Sequence, residues 1–167
     1  MQKSNIPSTK TILNYFNKDN ILCVNLNNKA YSYNRVMIDN LFVDYKVSRN
    51  IEETLMFLSR QKFNLIIIDA NDTSLLNFIL DLEKNEINIA MIILSNKLPL
   101  DKIMKNIKLN IYDCFIKPVN VTQFISTLKN IYKDQLNEDY LSQSKIEYLL
   151  ITDNDMINLS YIEANSS

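Results

Sequence analysis

The chain has 167 residues, a net charge of −1 and a pI near 5.5, enough for one domain with its own core plus extensions, and without the basic stripe that phosphate neutralisation needs. It contains no histidine and no glycine, which handicaps Ser-His-Asp and Cys-His nucleophile systems and common zinc sites, and rules out a P-loop or a dinucleotide fingerprint. No apolar run approaches the ~18 residues of a membrane span, and the polar opening Met1-Gln2-Lys3-Ser4 is no signal peptide, so a cytoplasmic protein with no membrane partner is expected.

Residues 1–19 form an N-terminal arm, polar except for the cluster TILNYF, to be read as either a mobile arm or a short helix packed on the body. From Asn20 apolar runs alternate with stretches of helical period. ILCV (21–24) predicts a short buried strand, and NKAYSYNRVMIDN (28–40) carries Tyr33, Val36 and Met37 at helical spacing. LFVDYKV (41–47) alternates like a strand nearer the sheet edge. In NIEETLMFLSRQ, Asn50 is a plausible N-cap with Glu53 three residues on, and Leu55 and Leu58 share a face, so a helix is predicted. FNLIIIDAND (63–72) holds the third strand. LLNFILDLEKN is an amphipathic helix, INIAMIILS (87–95) a fourth strand, PLDKIMKNIK (99–108) a short helix and IYDCFI (111–116) a fifth strand. The helix NVTQFISTLKNIYKDQL follows, with Val121, Phe124, Ile125, Leu128 and Ile131 on one stripe. Cys23 and Cys114 lie inside apolar strand-like runs without metal-ligand spacing and read as two reduced, buried thiols.

Strands and helices alternating five times over residues 20–134 predict an α/β domain: a flavodoxin-like five-stranded parallel sheet with helices on both faces. Right-handed crossovers favour the order 2-1-3-4-5, with a site beyond the carboxyl ends of the central strands. Residues 135–167 are expected to be a linker and a β-hairpin. KIEYLLITDNDMINLSYIEANSS places an Asp-Asn-Asp turn between two apolar runs, although a disordered tail is the other reading.

Asp69 ends the third strand, Ser95 the fourth, and Lys117 with Pro118 follows the fifth. An acid, a hydroxyl and a Lys-Pro at those strand ends, in that order, resemble the receiver domain of bacterial two-component response regulators over residues 20–134. The tail hairpin resembles the leading strands of an OmpR/PhoB-type winged-helix output domain. The resemblance implies that Asp69 is the phosphoacceptor, Ser95 the switch hydroxyl and Lys117 the charge-neutralising cation. It also implies a cis Lys117–Pro118 bond and a Mg²⁺ ion bridging carboxylates and phosphoryl oxygens. On the residues alone Asp69 also reads as a cap of the next helix, Ser95 as a loop cap and Lys117 as a solvated strand end.

The sequence departs from that pattern at several points. Asn25 and Leu26 stand where receivers carry an acidic pair, so the metal site expected from Asp69, Asn25 and a backbone carbonyl near Asn71 is weak, with Asp72 the only further carboxylate at hand. Cys114 stands at the switch-aromatic position, with Phe115 on the opposite face, and Thr73 replaces the proline after the acceptor. With one carboxylate against one lysine, Asp69 and Lys117 are expected to pair.

The expected function is therefore a receiver-like signalling module of a phosphorelay, with a sensor histidine kinase or other signalling protein as partner. The alternative is a phosphorylation-independent pseudo-receiver used for docking or dimerisation. Receivers commonly dimerise through the helix before the fifth strand, that strand and the last helix, so a homodimer is an option. No enzyme activity is expected, since no activating base accompanies Asp69, Ser95 and Lys117. DNA binding has no support without a recognition helix.

Overall fold

Five strands align into a single parallel sheet in the order β2-β1-β3-β4-β5. Its strands are β1 (Ile21–Asn25), β2 (Lys46–Ser48), β3 (Leu65–Ala70), β4 (Met91–Ser95) and β5 (Ile111–Ile116). The protein is seen here as a computed structural model that describes residues 6–27, 33–70, 72–96 and 107–165. The helices are α1 (Thr9–Phe16), α2 (Tyr33–Leu41), α3 (Ile51–Arg60), α4 (Asp72–Lys84) and α5 (Val121–Asn165). The helix expected at residues 99–108 lies mainly outside the described residues.

Every residue of β3 and β4 is buried, as their unbroken apolar runs require of central parallel strands covered on both faces. Side chains alternate across the sheet. Leu22, Val24, Ile66, Ile68, Met91 and Ile93 form one face, packed with Leu75, Phe78, Ile79 and Leu82 of α4 and with Phe57 and Leu58 of α3. On the opposite face Phe115 of β5 meets Phe124 of α5, ring centroids 5.9 Å apart. Phe124, Leu128 and Ile131 of α5 are fully buried. Val121, expected on that stripe, is instead 41% exposed, and buried Thr127 takes part of the inner face.

Local chemistry sets the helix ends. The Asn50 carboxamide oxygen accepts from Glu53 N–H at 2.8 Å, and the Glu53 carboxylate accepts from Arg49 N–H at 2.9 Å, so the box closes one residue earlier than the usual reciprocal pair. Asn120 caps α5 by accepting from Gln123 N–H at 3.1 Å, immediately after the Lys117–Pro118 peptide, which is cis. At the other end of the chain Ser8 caps α1, and Ile12 and Phe16 are buried, so this part of the arm is a packed helix.

Three sequence expectations are corrected. Residues 41–47 do not form one strand: α2 runs to Leu41 and β2 begins only at Lys46. The reason is Asn17, whose carboxamide donates to Leu41 O at 3.4 Å and accepts from Val43 N–H at 2.8 Å, holding the turn that follows the helix. On α2 the inward positions are Asn34, Met37 and Ile38, while Val36 is 52% exposed. Finally, the C-terminal β-hairpin is absent, because α5 continues without interruption to Asn165. No proline follows Pro118 and the chain has no glycine, so nothing stops a helix once Asn120 has started it. The tail therefore lends no support to a winged-helix beginning. Residues 1–131 form one unit and residues 132–167 a second.

Candidate functional site

The register of the sheet brings the expected residues to one rim. Asn25 lies opposite Asp69 across β1 and β3, and Ala70 lies opposite Ser95 across β3 and β4. Backbone bonds continue past the strand ends: Leu26 N–H donates to Asp69 O at 2.9 Å, and Lys117 N–H donates to Ser95 O at 3.0 Å. These bonds hold the segment after β1 and the Lys117–Pro118 segment against the carboxyl ends of the central strands.

At the centre is the Asp69 carboxylate, whose residue is 7% exposed. Its Oδ1 accepts from the Lys117 ammonium, with which it forms an ion pair, and from Asn27 Nδ2 at 2.7 Å. Its Oδ2 accepts from Asn34 Nδ2 at 3.3 Å. Three N–H donors from three segments thus converge on one buried acid. The Lys117 and Asp69 side chains are 16% and 10% exposed, so solvent screens their attraction only in part.

Asn34 is 1% exposed, and its Oδ1 has no partner among the described residues. A buried unmade acceptor costs about 1–3 kcal/mol. Turning the amide over would set that oxygen against a carboxylate oxygen, two acceptors in contact, which is worse. The orientation is therefore dictated by the acid it serves.

The remaining positions fall as follows. Ser95 is fully buried. Asn25 Oδ1 accepts from Asn27 N–H at 3.0 Å, which sets the turn that brings Asn27 to Asp69. Leu26 packs against the apolar core. Cys114, expected at the switch-aromatic position, is half-buried on the face of the α3 and α4 core, and the buried Phe115 turns to the opposite face against Phe124. Cys23 is buried but Cys114 only half so, against the expectation of two buried thiols. Burial, with Asp39 and Asp69 adding to it, pushes the Cys23 thiol far above its ordinary value. Burial and then Asp113 push Cys114 up to about 12. Neither is a thiolate near neutral pH.

Among the described residues the donor set does not fit Mg²⁺. A hard dication needs oxygen donors, usually one or two carboxylates beside waters. Here both oxygens of the Asp69 carboxylate already accept N–H bonds, and the Asn25 oxygen is engaged by backbone. Among the described residues no three of His, Cys, Asp and Glu come together as a metal-holding group. Asn71 and the side chain of Asp72 lie outside the described residues. The space beside Asp69 on the α2 face is a cavity of about 40 Å³ reaching Cys23 and Tyr45, room for a few waters at most.

Asn27 and Asn34 were not singled out by sequence reasoning. Asn27 lay in the segment already suspected, two residues after Asn25, where an asparagine after a strand is a readable signal for an Asx turn. Asn34 gave a weaker one: a polar residue at the inward position of a helix whose register was misjudged by its apolar residues.

Comparison with solved structures finds the same fold in receiver domains. One is the signal receiver domain of an HD-domain-containing protein from Pseudomonas fluorescens Pf-5 (TM-score 0.55, 18% identity, 70% of this chain and 96% of that one). A second is the receiver domain of the Francisella response regulator 1452 (0.52, 22%, 69% and 97%). A third is the receiver domain of NtrC4 from Aquifex aeolicus (0.50, 20%, 69% and 97%). No protein-family profile and no curated protein matches the chain. The part of this chain that carries the sheet thus has the receiver fold.

Proposed function

We propose that this chain is a receiver-type signalling module that works as a docking domain without carrying a phosphoryl group. The observation behind the reading is the saturation of Asp69: Lys117, Asn27 and Asn34 donate to both of its oxygens. In phosphoryl transfer the protein contributes positioning and charge neutralisation, and a metal ion usually carries much of the latter. With amides where acids and a cation would be, the acid is neutralised in its resting state, and the rim lysine, Lys117, is already committed to it. The rim then holds one conformation, suited to recognition by a sensor kinase or another signalling protein in the cytoplasm. On this reading the chain is not an enzyme.

The phosphorelay reading keeps one observation in its favour, the juxtaposition of Asp69 and Lys117 on the rim that also carries Ser95. Incubation with acetyl phosphate and Mg²⁺, followed by intact mass measurement, separates the two. The docking reading expects no mass gain from phosphate. Rapid stoichiometric gain, lost in Asp69→Asn, would establish the phosphorelay reading in its place.

A further inference from the structure

The sheet has two edges, β2 and β5, and among the described residues no strand lies beyond either. An edge strand presents N–H and C=O groups to any other strand that reaches it, and proteins blunt such edges by shortness, bulges or charge. β2 is only three residues long, Lys46–Ser48. β5 has six, Ile111–Ile116, of which only Asp113 is charged. A short run of isoleucine, tyrosine, cysteine and phenylalanine without proline pairs readily with its own copy. A bulge at Tyr112 breaks the register with β4, which leaves Asp113 to Ile116 as the regular part of the edge.

The backbone directions along that part follow from one bond. Lys117 N–H donates to Ser95 O at 3.0 Å, so the two-residue alternation of a strand turns the backbone groups of Phe115 and Asp113 toward β4 and those of Cys114 and Ile116 away from it. The outward Cys114 N–H is already taken: it donates to Asp113 Oδ1 at 2.9 Å. The other oxygen, Oδ2, accepts from the hydroxyl of the buried Thr127 on α5 at 3.0 Å. That hydroxyl also lies 3.2 Å from Gln123 O, but the carboxylate is the nearer and the stronger acceptor. Between β5 and α5 lies an open groove of about 600 Å³, lined by residues 113–116 and by amides and hydroxyls of α5, Gln123 and Ser126 among them. A strand entering there needs the Cys114 N–H for one of its carbonyls. It meets the Asp113 carboxylate instead, two acceptors with no proton between them.

We propose that the Asp113 carboxylate, tied to Thr127, closes the outer edge of β5 to strand addition by a second copy of this chain. The contact is separate from the Asp69 rim and independent of its chemistry.

The test uses the full chain and reads hydrogen exchange at the Ile116 amide by NMR, since that N–H faces away from β4 and is not the one Asp113 holds. In the unsubstituted chain it is expected to exchange quickly at every protein concentration. In Asp113→Ala it is expected to slow at least about tenfold as concentration rises, with a parallel gain in mass by sedimentation. Thr127→Val, a change of nearly equal volume that unties the carboxylate from α5, should act in the same direction by a smaller factor, and carries the test if Asp113→Ala melts early. Asp113→Asn keeps a side-chain oxygen for Cys114 N–H and should behave as the unsubstituted chain. Slow exchange of Ile116 in the unsubstituted chain, an unchanged rate in both Asp113→Ala and Thr127→Val, or equal slowing in Asp113→Asn and Asp113→Ala would overturn the proposal.

Discussion

Replacing Lys117 by Met removes the cation from the Asp69 carboxylate and leaves its hydrocarbon stem in place. The two side chains are 16% and 10% exposed. Asp69 is then a mostly buried anion held by the amides of Asn27 and Asn34 alone. Breaking a buried ion pair from one side typically costs about 3–5 kcal/mol, because the surviving charge stays desolvated. Two neutral amide donors hold some of that back, so a loss near the lower figure, about 3 kcal/mol, is expected. Urea unfolding followed by circular dichroism measures it as a lower midpoint with an unchanged slope. Lys46→Met is the internal control: its pair with Asp19 has side chains 40% and 52% exposed, and exposed pairs contribute about 0–1 kcal/mol. The double variant Lys117→Met with Asp69→Asn should recover part of the loss, since no buried charge then remains. If Lys117→Met costs no more than Lys46→Met, or the double variant is the sum of the singles, the buried pair does not organise this rim.

Glu86 sits at φ 55°, where a side chain beyond glycine costs roughly 1–2 kcal/mol. Glu86→Gly should therefore raise stability by up to about 1 kcal/mol after the unfolded chain's added freedom is deducted, read as a higher melting temperature. Thr54→Val removes the partner that the buried Ser48 hydroxyl has at 2.7 Å, and should lower stability by about 1–3 kcal/mol in the same urea assay. Cys114, pushed up to about 12 from 9.0, should react with iodoacetamide at pH 8 on the order of 10³-fold slower than an ordinary thiol. Its rate should still be climbing at pH 11. With Cys23 and Tyr45 also raised above their ordinary values, the folded state resists losing these protons. That contribution is complete below the unfolded-state values and is lost as pH rises through the folded ones, so the urea midpoint should fall from about pH 9 upward.

The parallel sheet was legible because burial writes itself into composition. A strand covered on both faces has to be apolar throughout, and LIIID and MIILS say so without help. The cap at Asn50 follows an equally local rule. The strand order came from the handedness of crossovers, and the rim from where the strands end. Misreadings arose where a distant side chain or a missing one decided the outcome. The segment after α2 is shaped by Asn17, 24 residues upstream of the Leu41 carbonyl it holds, which no window around Leu41 contains. The tail was read from an Asp-Asn-Asp cluster as a turn, but turn residues only permit a turn, and with no proline or glycine near them helix propagation prevailed.

At the site the division follows the range of the forces involved. Residue type and spacing along the chain placed one acid, one hydroxyl and one lysine at the carboxyl ends of β3, β4 and β5, and put Asn25 and Leu26 where an acidic pair was expected after β1. Which groups surround the acid was decided only by the folded chain. Asn27 and Asn34 are ordinary polar residues in sequence, 42 and 35 positions from Asp69. They reach the acid only when an Asx turn and the inward face of α2 bring their amides to a carboxylate from which water has been removed. A hydrogen bond to a buried charge carries weight because of that desolvation, which is a property of the three-dimensional packing.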